Sequence, residues 1–288
     1  MSEYGVAPAG YRLPAATRLG AVTLQVADLE RSLRYYEDVL GFHVQSRDAG
    51  SASLGTVADP APLVSLRERR GATPVPRRGR LGLYHFAILL PDRAALGRFV
   101  KHLAGIGMQA GMSDHLVSEA VYLTDPDGLG IEVYADRPRD TWRHEQGQLA
   151  MATNPLDVND LVRAAGDAEW TGMPAGTVIG HVHLHVGDIG SASRFYHEGL
   201  GFDRMVWSYP GALFLAAGGY HHHLGTNTWA AGAAPAGEGD ARLLEWKVLV
   251  PTTEDVSRAT ASIAGIGGDV DGAVARDPWG TAVRLSVA

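Results

Sequence analysis

The sequence predicts an α+β fold built from four βαβββ modules grouped into two domains. Three observations predict it. Residues 19–42 match residues 179–202. Residues 83–107 match 243–267 at the same offset of 160. In each copy a strand of β-branched and aliphatic residues runs into a helix that stops at glycine. Two matches in order at one offset are not what chance similarity between short α/β segments produces.

In chain order, module one opens with the strand Leu19–Val26, and its helix places Leu29, Leu33, Tyr36 and Leu40 on one face before Gly41. Module two starts at Leu83-Tyr84-His85-Phe86, has a helix ending at Leu103-Ala104-Gly105, and closes on the turn Asp125-Pro126-Asp127-Gly128 between two short strands. Module three repeats module one from Ile179 to Leu200-Gly201-Phe202. Module four repeats module two, with the turn Asp277-Pro278-Trp279-Gly280. The expected organisation is an N-terminal arm (1–17), a first domain (18–136), a connector (137–177) and a second domain (178–288). Within the connector the sequence predicts a helix over 155–165, with Asn154 as its N-cap and Pro155 in the first turn.

Of the 288 residues, 45% are hydrophobic and 20% charged, and the formal net charge is −7. That balance is ordinary for a globular protein and gives no basic footprint for nucleic acid, so a small-molecule partner is expected. The chain has no cysteine, so disulfides and thiolate ligands are excluded and any metal must use His, Asp or Glu. No apolar run is long enough to span a bilayer, and the N-terminal arm lacks an apolar signal core. A cytoplasmic protein without a membrane partner is expected.

The motifs Val26-x-Asp28-Leu29, Tyr35-Tyr36, Leu40-Gly41-Phe42 and Asp125-Pro126-Asp127-Gly128-x-x-Ile131-Glu132 resemble the vicinal oxygen chelate superfamily. That superfamily includes glyoxalase I, bleomycin-resistance proteins and extradiol dioxygenases. The resemblance runs from about Leu19 to Val287. Four modules in one chain are similar to the extradiol enzymes. Gly82-Leu83-Tyr84-His85, Asp114–Glu119 and Gly219–Trp229 resemble the catechol-2,3-dioxygenase-like branch. This implies curved, mixed sheets that form clefts. It also implies metal ligands on the first and last strands of the modules.

At those positions module one has Ala21, module two His85 and Glu132, module three His181, and module four Glu245 with Arg284. The implied metal set is His85, Glu132 and His181. Two histidines and a carboxylate suit Fe(II), with Mn(II) or another divalent metal as alternatives. The set requires modules two and three to share one cleft, whereas extradiol enzymes usually draw all three ligands from the last two modules. His183 and His185 share the strand face of His181, as ligands or pocket lining.

The resemblance also assigns Tyr122 a hydrogen bond to substrate, and places His115 where the family carries a histidine beside the ligands. Cross-strand packing is the plain alternative for Tyr122. His221-His222-His223 lies on the last strand of module three, so alternation sends His221 and His223 to the cleft and leaves His222 with core-directed Tyr220 and Leu224. His221 or His223 is then the candidate acid–base group, with metal ligation or a surface histidine run as alternatives. Asn227 and Trp229 are expected at the pocket mouth.

The expected activity is extradiol ring cleavage of a catechol-like aromatic with O2. The alternatives are another metal-dependent lyase or isomerase of glyoxalase type, or a non-enzymatic drug-binding protein. Edge pairing of such modules is compatible with a homodimer.

Overall fold

Each quarter of the chain forms a strand, a helix and three further strands, as the repeat predicts. The computed structural model describes residues 4–288; the first three residues of the N-terminal arm lie outside the described residues. Module one comprises β1 (Arg18–Val26), α1 (Leu29–Asp38), β2 (His43–Asp48), β3 (Ser51–Gly55) and β4 (Val64–Glu68). Module two comprises β5 (Gly82–Leu89), α2 (Arg93–Gly105), β6 (Gly111–Asp114), β7 (Ser118–Thr124) and β8 (Gly130–Asp136). The connector holds the short hairpin β9 (His144–Glu145) and β10 (Gln148–Leu149), then α3 (Val158–Ala164).

Module three comprises β11 (Val178–His185), α4 (Ile189–Ser193) running on as a π-helical turn over Arg194–Gly199, β12 (Asp203–Val206), β13 (Ala212–Ala216) and β14 (Leu224–Asn227). Module four comprises β15 (Arg242–Val250), α5 (Thr253–Gly265), β16 (Asp269–Asp271), β17 (Val274–Arg276) and β18 (Ala282–Val287).

The four module helices start by one device. Asp28, Asp92, Asp188 and Thr252 each accept the backbone N–H three residues on, satisfying a donor the helix leaves open. Gly41 (φ +80°) and Gly201 (φ +99°) take the left-handed conformation that ends the helices of modules one and three. Leu29, Leu33, Tyr36 and Leu40 are all buried, and each leucine contributes roughly 1.5–3 kcal/mol of burial.

The connector helix differs from expectation. It starts at Val158 and its cap is Asp157, which accepts from Asp160 N–H. Asn154 instead pairs with Asp114 through both backbone groups, at 2.9 Å each. An N-cap is itself extended, so what takes Asn154 out of the helix start is this backbone pairing with the end of β6, which leaves Asp157 to supply the cap.

The strands form two curled eight-stranded sheets. One has the order β16-β17-β18-β15-β1-β4-β3-β2 and the other β12-β13-β14-β11-β5-β8-β7-β6. Modules one and four therefore share a sheet, as do modules two and three, and each half of the chain gives one module to each sheet. The joins are antiparallel, β1 with β15 and β5 with β11. Inside every module the first strand runs parallel to the last.

The sheets are tied through equivalent contacts. Tyr36 donates to Asp125 at 3.4 Å, and Tyr196 to Asp277 at 2.9 Å. Each aspartate also organises its own turn. Asp125 accepts from the N–H groups of Asp127 and Leu129, and Asp277 from those of Trp279 and Thr281.

Candidate metal centre

The β5–β11 join determines which side chains meet. Ala87 on β5 lies opposite His181 on β11 and beside Glu132 on β8; His85 lies opposite His183. Alternation puts His85, Ala87, His181 and His183 on one face of the sheet. The small Ala87 forms a floor over which the longer side chains converge. His85 Nε2 stands 3.0 Å from Glu132 Oε2, and His181 Nε2 stands 3.1 Å from the same oxygen. The three ligand atoms lie within 4.8 Å of one another, and all three residues are buried.

This set fits a divalent ion. Despite its closeness to Glu132, His85 Nε2 is buried with no partner in hydrogen-bond geometry, and His181 Nδ1 is likewise unpartnered. Unsatisfied buried nitrogens are costly, and a bound cation relieves that cost for a nitrogen aimed at it. Burial drives His181 down to about 4, against the upward pull of Glu132. Burial also acts to raise the Glu132 carboxyl, but His181 and His85 outweigh it and hold the group well below the usual carboxylate range. At neutral pH the cluster is a carboxylate with an uncharged His181.

The cavity above the cluster measures about 280 Å³. An apolar void of roughly 150 Å³ already admits benzene, so one substituted ring fits. Tyr122 and His115 line one wall. His115 Nδ1 lies 2.7 Å from Ala152 O and must donate to it, so Nε2 accepts the Tyr122 hydroxyl at 2.6 Å. Burial raises Tyr122 well above the normal tyrosine value, so it keeps its proton. The connector, through Met151, Ala152 and Thr153, completes that wall, a contribution that no sequence motif announces.

The histidine run differs from expectation. β14 begins only at Leu224, and His221–His223 lie in a bend after Gly218 and Gly219, both with positive φ. Strand alternation therefore does not govern them. His222 lines the cavity, with its ring 4.1 Å from that of His181. His221 turns away to Asp136 (2.9 Å) and approaches His222 through Nδ1 (2.7 Å). His223 accepts from Ala217 N–H and stacks on Phe202. Burial takes His223 down to about 3 and holds His183 and His222 well below the ordinary histidine range, so all three are neutral.

His183 also lines the cavity. Asn227 holds it by donating to Nε2 at 3.0 Å, and the Asn227 carbonyl accepts from His185 Nδ1 at 2.7 Å. Gly225 makes room for the His183 ring, since a Cβ there would lie 2.9 Å from it. Phe214, Tyr209, Tyr84 and Trp229 supply the aromatic walls. Of these, Phe214 and Tyr209 carry no signal in the sequence beyond their hydrophobicity.

Comparison with known proteins agrees with this architecture. The model of the glyoxalase/bleomycin resistance protein/dioxygenase superfamily matches residues 18–133 and 178–285. The chain belongs to that superfamily. A superfamily relative, catechol-2,3-dioxygenase of Bacillus subtilis (strain 168), is 46% identical over 244 residues, covering 83% of this chain and 85% of its own. Among solved structures, one from Bacillus subtilis subsp. subtilis str. 168 superposes with a TM-score of 0.65 at 14% identity, over 96% of this chain and 86% of that one. Glyoxalase I from Zea mays superposes with a TM-score of 0.55 at 19% identity, over 94% and 92%. At such identities the structures share the superfamily fold. No helix among the described residues is long and apolar enough to cross a membrane.

Proposed function

We propose that this protein is a metal-dependent extradiol dioxygenase that opens the ring of a catechol-like aromatic with O2. The convergence of His85, Glu132 and His181 at one end of a ring-sized aromatic cavity supports the reading above all. The relative named catechol-2,3-dioxygenase supports it further. The three side chains would hold Fe(II), or alternatively Mn(II), on one face and leave the cavity side open. The bound ion would supply coordination of both catechol oxygens and the electron transfer that O2 chemistry requires.

The remaining steps belong to the protein. Tyr84, Phe214 and Trp229 hold the ring and exclude water from it. The Tyr122 oxygen can accept a substrate hydroxyl proton while its own proton passes to His115 Nε2. That leaves His115 charged and donating to Ala152 O, ready to return the proton. Neutral His183 and His222 provide further hydrogen-bonding nitrogens on the opposite wall.

Metal analysis of protein purified without oxygen, followed by oxygen uptake with catechol, tests the proposal. About one ion per chain, uptake, and a yellow ring-cleavage product are expected. His85→Ala should lose both the ion and the uptake. Full iron content and full rate in that variant would refute the ligand assignment, and metal-loaded protein that never consumes oxygen with catechols would refute the reaction.

A further inference from the structure

The metal-site cavity opens into a vestibule of about 1080 Å³; Tyr84, His85, Tyr122 and Trp229 line both. Arg77 and Arg78 stand on the vestibule wall, and no Asp or Glu lines it. These two guanidinium groups are therefore its formal charges. Both are exposed, and neither has an ion pair or side-chain hydrogen bond among the described residues. Their neighbours along the chain differ: Arg70 pairs with Glu68 at 3.0 Å, and Arg80 with Asp240 at 3.6 Å.

The backbone holds the two arginines in place. Pro76 O accepts Gly79 N–H at 2.8 Å, a tight turn with Arg77 and Arg78 at its corners and Gly79 left-handed at φ +76°. Val75 N–H bonds to Asp127 O and Leu81 N–H to Ala234 O, pinning both ends of the loop. A fixed pair of unpaired arginines at the mouth of a cavity, in a chain of net charge −7, is a local reversal of the protein's field.

We infer that the vestibule selects a catechol bearing a carboxylate on a short side chain, with its hydroxyls toward the metal site and its carboxylate between Arg77 and Arg78. Guanidinium matches carboxylate geometry with two parallel hydrogen bonds, and Tyr84 and Trp229, packed edge-to-face on each other, line the passage between the two ends. The inference rests on the ring-cleaving reading for its substrate class, although the charge preference can be measured without turnover.

The test compares 3,4-dihydroxyphenylacetate with 4-ethylcatechol, which are similar in size and differ in charge. In the metal-loaded protein, the ratio of kcat/KM for anion over neutral compound should be on the order of tenfold. It should fall toward one in Arg77→Gln/Arg78→Gln, fall in about 0.5 M salt, and persist largely in Arg77→Lys/Arg78→Lys. A ratio near one in the native protein, or one that survives both the glutamine substitutions and salt, overturns the inference. Quenching of tryptophan fluorescence in chelator-treated protein gives the same comparison without chemistry. If neither compound supports oxygen uptake, the ring-cleavage reading fails. Salt-sensitive binding of the anion alone would still support the arginine site, and equal binding of both compounds would overturn it.

Discussion

At the centre of one sheet, β5 presents His85 and Ala87 between Glu132 and His181. At the centre of the other, β15 presents Glu245 and Lys247 between Arg284 and Ala21, the positions that correspond through the repeat. In the second cleft Arg284 grips Glu245 with two contacts of 2.8 Å, so the carboxylate is already neutralised by the protein. In the first, the buried Glu132 carboxylate faces two imidazoles and no guanidinium or ammonium group. The backbone frame is the same in both. A ligand cluster that could hold a cation forms where the floor residue is small, and the corresponding positions of the other sheet carry a lysine and an arginine instead.

The comparison is broken most severely by exchanging its key residue. Glu132→Arg should reduce bound metal to background, as measured by elemental analysis, and abolish oxygen uptake with it. Tyr122→Phe should keep the metal but lower kcat by about a hundredfold, in the range that positioned proton-transfer groups contribute. An unchanged kcat would leave Tyr122 as a packing residue.

A smaller effect separates the two tyrosine–aspartate ties. Burial raises the Asp125 carboxyl from 3.8 to about 7, and it raises Asp277 in the same direction. Over that range the folded state keeps a proton the unfolded chain has lost. The Asp125 contribution is therefore most favourable below about pH 4 and declines as pH rises to about 7. The stability difference between native protein and Asp125→Asn, from urea melts across that window, should fall with rising pH; a flat difference would contradict the assignment. The smallest effect is expected in the second cleft. Arg284→Ala should cost about 0–1 kcal/mol, because the ion pair is partly open to solvent, and should leave the metal content unaltered.

The architecture was legible where structure is regular. The repeat located every module, and the helix stops at Gly41 and Gly201 follow from local chemistry. His85, Glu132 and His181 could be named together because the family resemblance assigns ligands to the first and last strands of the modules, and the structure brings the three side chains together. His222 was misplaced because the alternation rule was extended into a bend that only the two glycines before it reveal. Asn154 was misread as a cap because its engagement with Asp114 is a contact between residues 40 positions apart. The connector's part in the cavity wall, with Ala152 orienting His115, is likewise a tertiary fact that neither composition nor spacing encodes.

The interleaving of modules also has a consequence for synthesis. β1 leaves the ribosome well before its antiparallel neighbour β15, where Val22 meets Trp246. Until that late segment emerges, β1 exposes an apolar edge able to pair with other chains. The second sheet closes earlier, once β11 reaches β5. The nascent chain can therefore complete the sheet that carries His85, Glu132 and His181 while the sheet of modules one and four is still half built, and between the two events the unpaired edge of β1 stays open to other chains.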